Sequence, residues 1–578
     1  MISFPRATRS QAIFGLSRTC SFGLLFAPFL IGLVWWQEPV SSLRASSKDE
    51  QSEAALLRGQ AFLEEGRNQE AVKEFNNALS SRPEWAEARY QLGFAQWKLG
   101  RLLEASGNLK RALALQPRHP LAAYYLGRIA LLNSDLPKAI QYLEKTVEFS
   151  DGKPVLDEYF HLGKAYLASG KPNESIRILE KGIALQPRDD RLFAQLAKAY
   201  LSVRDKSKAE RALAKSKELR DYQREATSLL LQCSEHLKAR DVAKALDIYS
   251  RLSETDDVDD LVSLGIDFGQ SELYQQAIHL LSRAVRLAPN SYEAYYNLGL
   301  LFLRTQRQDE AEEHFQRAAA LRSYSFDTHS VLGVILSQKG KTEAAIKVLQ
   351  RAAVLRPDDL KVTTLLALQL IEGRYYTLAA QTLGSAVKQW PGNIDLRFLF
   401  IEAYHRDRKY ERAVEAALAT VAQFPEVARA NFEAGYQLIS FGRLTDSRAF
   451  LEKAVQLDPD SAQAYASLGD LSGREGNQEQ AIRYFEKALE KDSTQVDAYL
   501  GLGKSLLALG RYSDAVVQME RAVQLDPSNP QPHFHLAQAF QGMGNREKAA
   551  AEAAVFKKLN DQRMLERDQE GGREFSER

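Results

Sequence analysis

Cysteine is nearly absent from this sequence: Cys20 and Cys233 are the two in 578 residues. That excludes a disulfide framework and a four-thiolate zinc site. An excess of one charge is missing as well. Lys and Arg total 76, Asp and Glu total 75, and the formal charge is +1. A general nucleic-acid binder needs a basic face, so no nucleic-acid partner is expected. Glycine (33) and proline (18) are too few for a collagen or a low-complexity linker protein. Catalytic signatures are lacking too. No HExxH, CxxC or phosphate loop occurs, and the nine histidines are scattered. An enzyme is therefore not expected, nor a cofactor or a metal. What is present is ordinary globular material, 45% hydrophobic and 26% charged, which excludes global disorder.

The first 36 residues differ from the rest. Arg6, Arg9 and Arg18 precede an apolar run from Thr19 to Trp36, and no acidic residue occurs before Glu38. This is the layout of a cleaved signal peptide or of an uncleaved signal anchor. The run of 18 residues is long for a signal core and just long enough to span a bilayer. Trp35 and Trp36 sit where interfacial aromatics anchor a spanning helix. Either reading exports the remainder to a periplasmic or extracytoplasmic location, anchored by 19–36 or released. If uncleaved, this segment makes the membrane a partner. Residues 37–51 are polar and Ser-rich and read as a linker.

Beyond the linker the chain repeats itself. Alanine recurs at a step of 34 at Ala71, Ala105 and Ala139, and again at Ala277, Ala311, Ala345, Ala379 and Ala413. Gly59, Gly93, Gly127, Gly265, Gly299 and Gly333 lie 12 residues before their alanines. Pro83, Pro117, Pro289, Pro357 and Pro391 lie 12 residues after theirs. Three residue types sharing one frame define a tandem repeat. Each repeat reads as two amphipathic helices of about 14 residues. In 461–492, Ala464, Tyr465, Leu468, Gly469 and Leu471 form the first apolar face, and Gly476-Asn477 breaks it. Ala481, Ile482, Phe485, Ala488 and Leu489 form the second. The small Gly and Ala mark a close helix crossing, and the Pro ends the second helix.

This pattern resembles the tetratricopeptide repeat. Tyr295, Leu298-Gly299, Phe302, Ala311, Phe315 and Ala318 match its motif, as do Tyr499, Leu502-Gly503, Gly510, Ala515, Ala522 and Pro527. Fifteen repeats start at Ser52, Ala86, Pro120, Leu156, Asp190, Ala226, Val258, Tyr292, Phe326, Leu360, Ile394, Ala428, Ala462, Val496 and Pro530. The resemblance covers about residues 52–563. It implies an all-α fold, a right-handed superhelical α-solenoid of 34-residue helix–turn–helix repeats. The frame slips in places. Asp151–Pro154 inserts two residues, 213–260 lacks the closing Pro, Cys233 stands where the first-helix Gly belongs, and Glu254–Asp260 is an acidic loop. These slips predict an N-terminal block 52–257 of about six repeats and a C-terminal block 258–563 of about nine. The slip between them is either a hinge or drift in a tolerant repeat. The charged tail 564–578 reads as disordered.

The resemblance implies partner binding in a concave groove lined by first helices. In the family frame the groove presents Tyr90, Phe94, Trp97, Tyr124 and Phe160, beside a basic stripe of Arg128, Lys164 and Lys198. Aromatics flanked by cations suit a protein partner, as an extended acidic peptide or a helix, and can also stack on a glycan. A secondary, acidic-aromatic patch comprises Phe398, Glu402, Phe432 and Tyr436. The family's two-carboxylate clamp is missing: Asn297 holds one of its positions, but Val262 and Ile266 stand where Lys and Asn are needed. The function expected is a non-catalytic protein–protein interaction scaffold. The alternative is a carbohydrate-binding or accessory subunit of a polysaccharide secretion system.

Overall fold

The computed structural model of the chain describes residues 48–253 and 255–576, with side chains as far as 564. The Thr19–Trp36 run lies outside the described residues. Among those described there are 29 helices and no strand, and no helix is long and apolar enough to cross a membrane. Helices pair in sequence and stack on their neighbours, so the fold is an all-α solenoid. Twelve of the fifteen expected repeat starts open a helix at the residue the frame names, among them Ala86, Pro120, Asp190, Val258, Tyr292 and Pro530. The linker ends earlier than expected, because the first helix, Lys48–Glu64, already contains residues 48–51.

Side-chain caps fix many of these starts. Ser291 accepts from the Ala294 N–H at 3.3 Å, Asp359 from Val362 at 2.8 Å and Asn393 from Leu396 at 3.1 Å. The repeat glycines sit where the paired helices cross. A Cβ on Gly93 would stand 2.8 Å from Leu109 Cγ and 3.2 Å from the Ala105 carbonyl; on Gly435 it would stand 2.5 Å from Leu451 Cγ and 3.2 Å from the Ser447 carbonyl. The small residue twelve positions on thus brings the backbones together, and a large one four positions later fills the space over the glycine.

The turn between the paired helices needs a left-handed residue. Glycine supplies it at Gly340 and Gly476, but Arg204, Glu272 and Gln306 adopt it with φ of 64°, 64° and 61°. A residue with a Cβ pays about 1 kcal/mol or more in that region.

The described chain forms two compact units, Lys48–Tyr324 and Ser325 onward, which divides it after the eighth repeat. Within the first unit the eight repeats come round far enough for Arg322 to meet Glu64, 2.7 Å apart.

In the irregular stretch no turn separates the fifth repeat from the sixth. Lys206–Lys238 is one helix of 33 residues, and the expected repeat start at Ala226 lies inside it. The cause is compositional: no Gly, Pro or Asn interrupts 206–238, which is rich in Ala, Lys, Glu, Arg and Leu. Ala209, Ala212 and Ser216 bury one end, and Ala226, Cys233 and Leu237 the other. Cys233 takes the crossing position, fully buried, its S–H donating to the Ala245 carbonyl at 3.7 Å. Burial pushes this thiol up to about 11, so it is an inert packing group. The acidic loop beyond is also engaged: Asp256 pairs with Arg283 at 3.0 Å, and Asp257 caps the next helix through the N–H groups of Asp259 and Asp260.

Of the expected tail 564–578, the described residues, as far as Ser576, are helical backbone. The last helix runs from Arg546 to Ser576, carried by Ala, Glu, Lys, Arg and Gln with no proline to stop it.

Candidate partner-binding face

The aromatic end of the expected groove is closed. Tyr90 is 2% exposed, Phe94 1% and Tyr124 3%; Trp97 is half-buried. Their rings pack on one another and on the second repeat row. Tyr90 lies 4.6 Å from the His119 ring and 6.2 Å from Phe94, and Phe94 and Trp97 each lie 4.9 Å from Tyr125, centroid to centroid. Tyr90, Phe94 and Tyr124 are part of the packing between successive first helices and, against expectation, are closed, whereas Trp97 keeps part of its surface open. The physical reason is helix spacing: adjacent first helices approach to about 9 Å, and an aromatic ring bridges that gap. Tyr324, from the turn that ends the eighth repeat, also comes close enough to bear on the Tyr90 hydroxyl.

Arg128 is not a free cation either. Its Nη1 donates to the Tyr124 hydroxyl oxygen at 2.6 Å and stands 3.9 Å from Asp157. The Tyr124 hydroxyl itself donates to Asp157 Oδ1. His161 Nε2 lies 3.3 Å from the same oxygen, and Arg191 Nη1 reaches Oδ2 at 3.1 Å. Burial alone would raise the Asp157 carboxyl, but His161, Tyr124 and Arg128 outweigh it and hold the group well below the usual carboxylate range. Asp157 is therefore a charged hub that ties three repeats together: Tyr124 and Arg128 from one, Asp157 and His161 from the next, Arg191 from the third.

The open part of the face lies one repeat further on. Lys164 and Lys198 are exposed, on the helices Glu158–Ala168 and Asp190–Ser202, which pack side by side. Among the described residues no carboxylate pairs with either. Phe160, half-buried, sits one turn before Lys164 under the Arg191 guanidinium at 5.4 Å. Leu201, one turn after Lys198, is 57% exposed. Leu201 and Arg191 were not among the residues singled out in the sequence. Their signal was available, since both stand at groove positions of the fifth repeat.

The secondary patch is partly used up in the same way. Phe398 is buried beneath Arg429, whose guanidinium carbon is 4.1 Å from the ring centroid. Glu402 is tied to Arg406 at 2.7 Å. Phe432 and Tyr436 stack at 5.9 Å, and Tyr436 keeps 38% of its surface open. What remains is one aromatic face and not an acidic-aromatic groove.

Tetratricopeptide-repeat profiles match residues 59–100, 90–154, 159–189, 262–327, 328–363, 398–462, 474–521 and 503–544. The chain belongs to the tetratricopeptide-repeat family. A tetratricopeptide-repeat frame also explains why one residue in each turn is left-handed and why the crossing positions are Gly and Ala. Among curated proteins, the Drosophila melanogaster protein described as a BBSome complex member, BBS4 homolog, is 28% identical over 147 residues. That match takes in 25% of this chain and 30% of the relative, so the chain spans under a third of that protein's length. The crystal structure of MamA aligns with 22% identity, 29% of this chain, 96% of MamA and a TM-score of 0.28. The APC/C hetero-tetramer Cut9–Hcn1 aligns with 13% identity, 90% of this chain, 95% of that chain and a TM-score of 0.35. These structures are similar in fold alone.

Proposed function

We propose that this tetratricopeptide-repeat chain is a non-catalytic scaffold for partner proteins, and that it grips an acidic segment along Lys164 and Lys198. The observation that carries the reading is the pair of exposed lysines on successive first helices, without carboxylate partners and beside the open Leu201. An extended segment with two acidic side chains and one apolar side chain complements this surface in charge and in shape. The glycan alternative would need open aromatic faces, and Tyr90, Phe94 and Tyr124 provide none. Export by residues 1–36, and tethering if the segment is kept, belong to the same proposal and rest on Arg6, Arg9 and Arg18 ahead of the apolar run.

A photo-cross-linking residue placed at Leu201 in the full chain, in native cells, tests the face directly. Protein adducts that disappear in the Lys164→Glu/Lys198→Glu variant are the expected result. Adducts that persist in that variant, or partners captured by the chain with no adduct at position 201, would place binding elsewhere. Protease accessibility of an epitope at the C-terminus in intact and opened cells tests export.

A further inference from the structure

Arg322 joins the two ends of the first compact unit across a sequence separation that no local interaction explains. It follows the helix Gln308–Leu321, the second helix of the eighth repeat. Its Nη1 lies 2.7 Å from Glu64 Oε1, at the end of the very first helix, and its Nη2 lies 2.7 Å from Glu293 Oε1. The guanidinium carbon stands 3.8 Å over the Tyr292 ring. Arg322 is only 20% exposed in this nest, and Glu64 34%. Two residues on, Tyr324 enters the same seam, where its hydroxyl feels Glu64, Arg322 and Glu293 and burial pushes it up to about 12. Tyr324 also lies near enough to bear electrostatically on the Tyr90 hydroxyl. The Tyr90 hydroxyl is buried with no hydrogen-bond partner.

We propose that Arg322 is a clasp that holds the first unit closed on itself through its ion pairs with Glu64 and Glu293. The clasp is independent of what the Lys164–Lys198 face binds. Its geometry is that of a shared cation. One guanidinium serves two carboxylates from repeats at opposite ends of the unit, with an aromatic face beneath it.

Across the seam Glu64 faces Arg322 and Glu293, and on its own side Glu65. Arg67, at the start of the next helix, is occupied by Glu65 and Glu70. The Glu64 carboxylate is therefore served from across the seam by Arg322, and losing that charge should loosen the clasp.

The test uses the full chain with Cys20→Ser and Cys233→Ala, carrying nitroxide labels at Asn76→Cys and Arg317→Cys, both exposed. Pulsed electron paramagnetic resonance reads the distance across the seam. A short-distance population is expected in the parent. Glu64→Gln, which removes one of the two ion pairs, should reduce it severalfold. Arg322→Ala should lose it, and Arg322→Lys, which keeps the charge without the fork, should fall between. Helix content by circular dichroism confirms that each variant is folded. A distance distribution unchanged in both Arg322 variants would overturn the clasp. A short-distance population undiminished in Glu64→Gln would overturn the role of Glu64.

Discussion

The two compact units are built from one repeat but use it differently. In the second, first helices of 13 residues alternate with second helices of 14 almost without exception, from Phe326–Gln338 and Thr342–Leu355 to Tyr512–Leu525 and Pro530–Gly542. In the first, an 11-residue helix follows the two-residue insertion, a 33-residue helix replaces two normal ones, and an ion pair spans the unit from end to end. Regularity lets each repeat be stabilised by its neighbours alone, as expected for a quasi-one-dimensional array. The first unit adds longer-range ties: the Asp157 hub across three repeats and the Arg322 contact across eight. Repeat number does not distinguish the units; side chains that depart from the repeat do.

The sharpest way to break this comparison is to damage a regular crossing. Ala345 is fully buried in the second unit, four residues before the Leu349 that closes over Gly333. Ala345→Glu places a charge in that crossing and should cost about 4 kcal/mol or more. Chemical denaturation followed by helix content should show an early transition confined to the second unit. In the first unit, Leu109→Ala empties the space over Gly93 and should cost about 3 kcal/mol. Equal unfolding of both units in either variant would mean that the units do not behave independently.

A smaller effect is expected at the hub. Asp157→Asn removes a charged acceptor shared by Tyr124, His161 and Arg191, at about 2 kcal/mol. Because the folded group lies below its ordinary value, its contribution is full above about pH 4. It is lost as the pH falls through the lowered folded value, so the parent's acid transition should become shallower in the variant. Smaller still is the turn. Gln306→Gly relieves a left-handed residue and should stabilise the first unit by about 0.5–1 kcal/mol, readable as a raised melting temperature. Least of all, Lys164→Ala and Lys198→Ala lie on exposed helix faces and should change stability by about 0.5 kcal/mol or less. Loss of the Leu201 adduct in these variants then reports binding and not folding.

Much of the fold was legible because the repeat writes its geometry in small residues. Gly93, Gly333 and Gly435 are small where a leucine sixteen positions on closes over them, and the sequence shows both residues in phase. The 33-residue helix was legible too, since 206–238 contains nothing to end a helix, but the repeat frame argued for a boundary at Ala226 and prevailed. The candidate site was less legible. A groove position tells which way a side chain points, and Phe94 and Lys164 occupy equivalent rows. It does not tell how much of the side chain the neighbouring helix covers: the phenylalanine ring is spent on packing while the lysine head reaches water. The Glu64–Arg322 contact left no trace in the pattern, because it joins residues from opposite ends of a unit and neither stands at a motif position.

The continuous Lys206–Lys238 helix has a mechanical consequence. An array pulled from its ends gives way one repeat at a time, and each 34-residue repeat that leaves releases about 120 Å of chain. The helix shared by the fifth and sixth repeats offers no turn at which the thread can part. Those two repeats should yield together under load, as one rip of about 240 Å, in an otherwise even staircase.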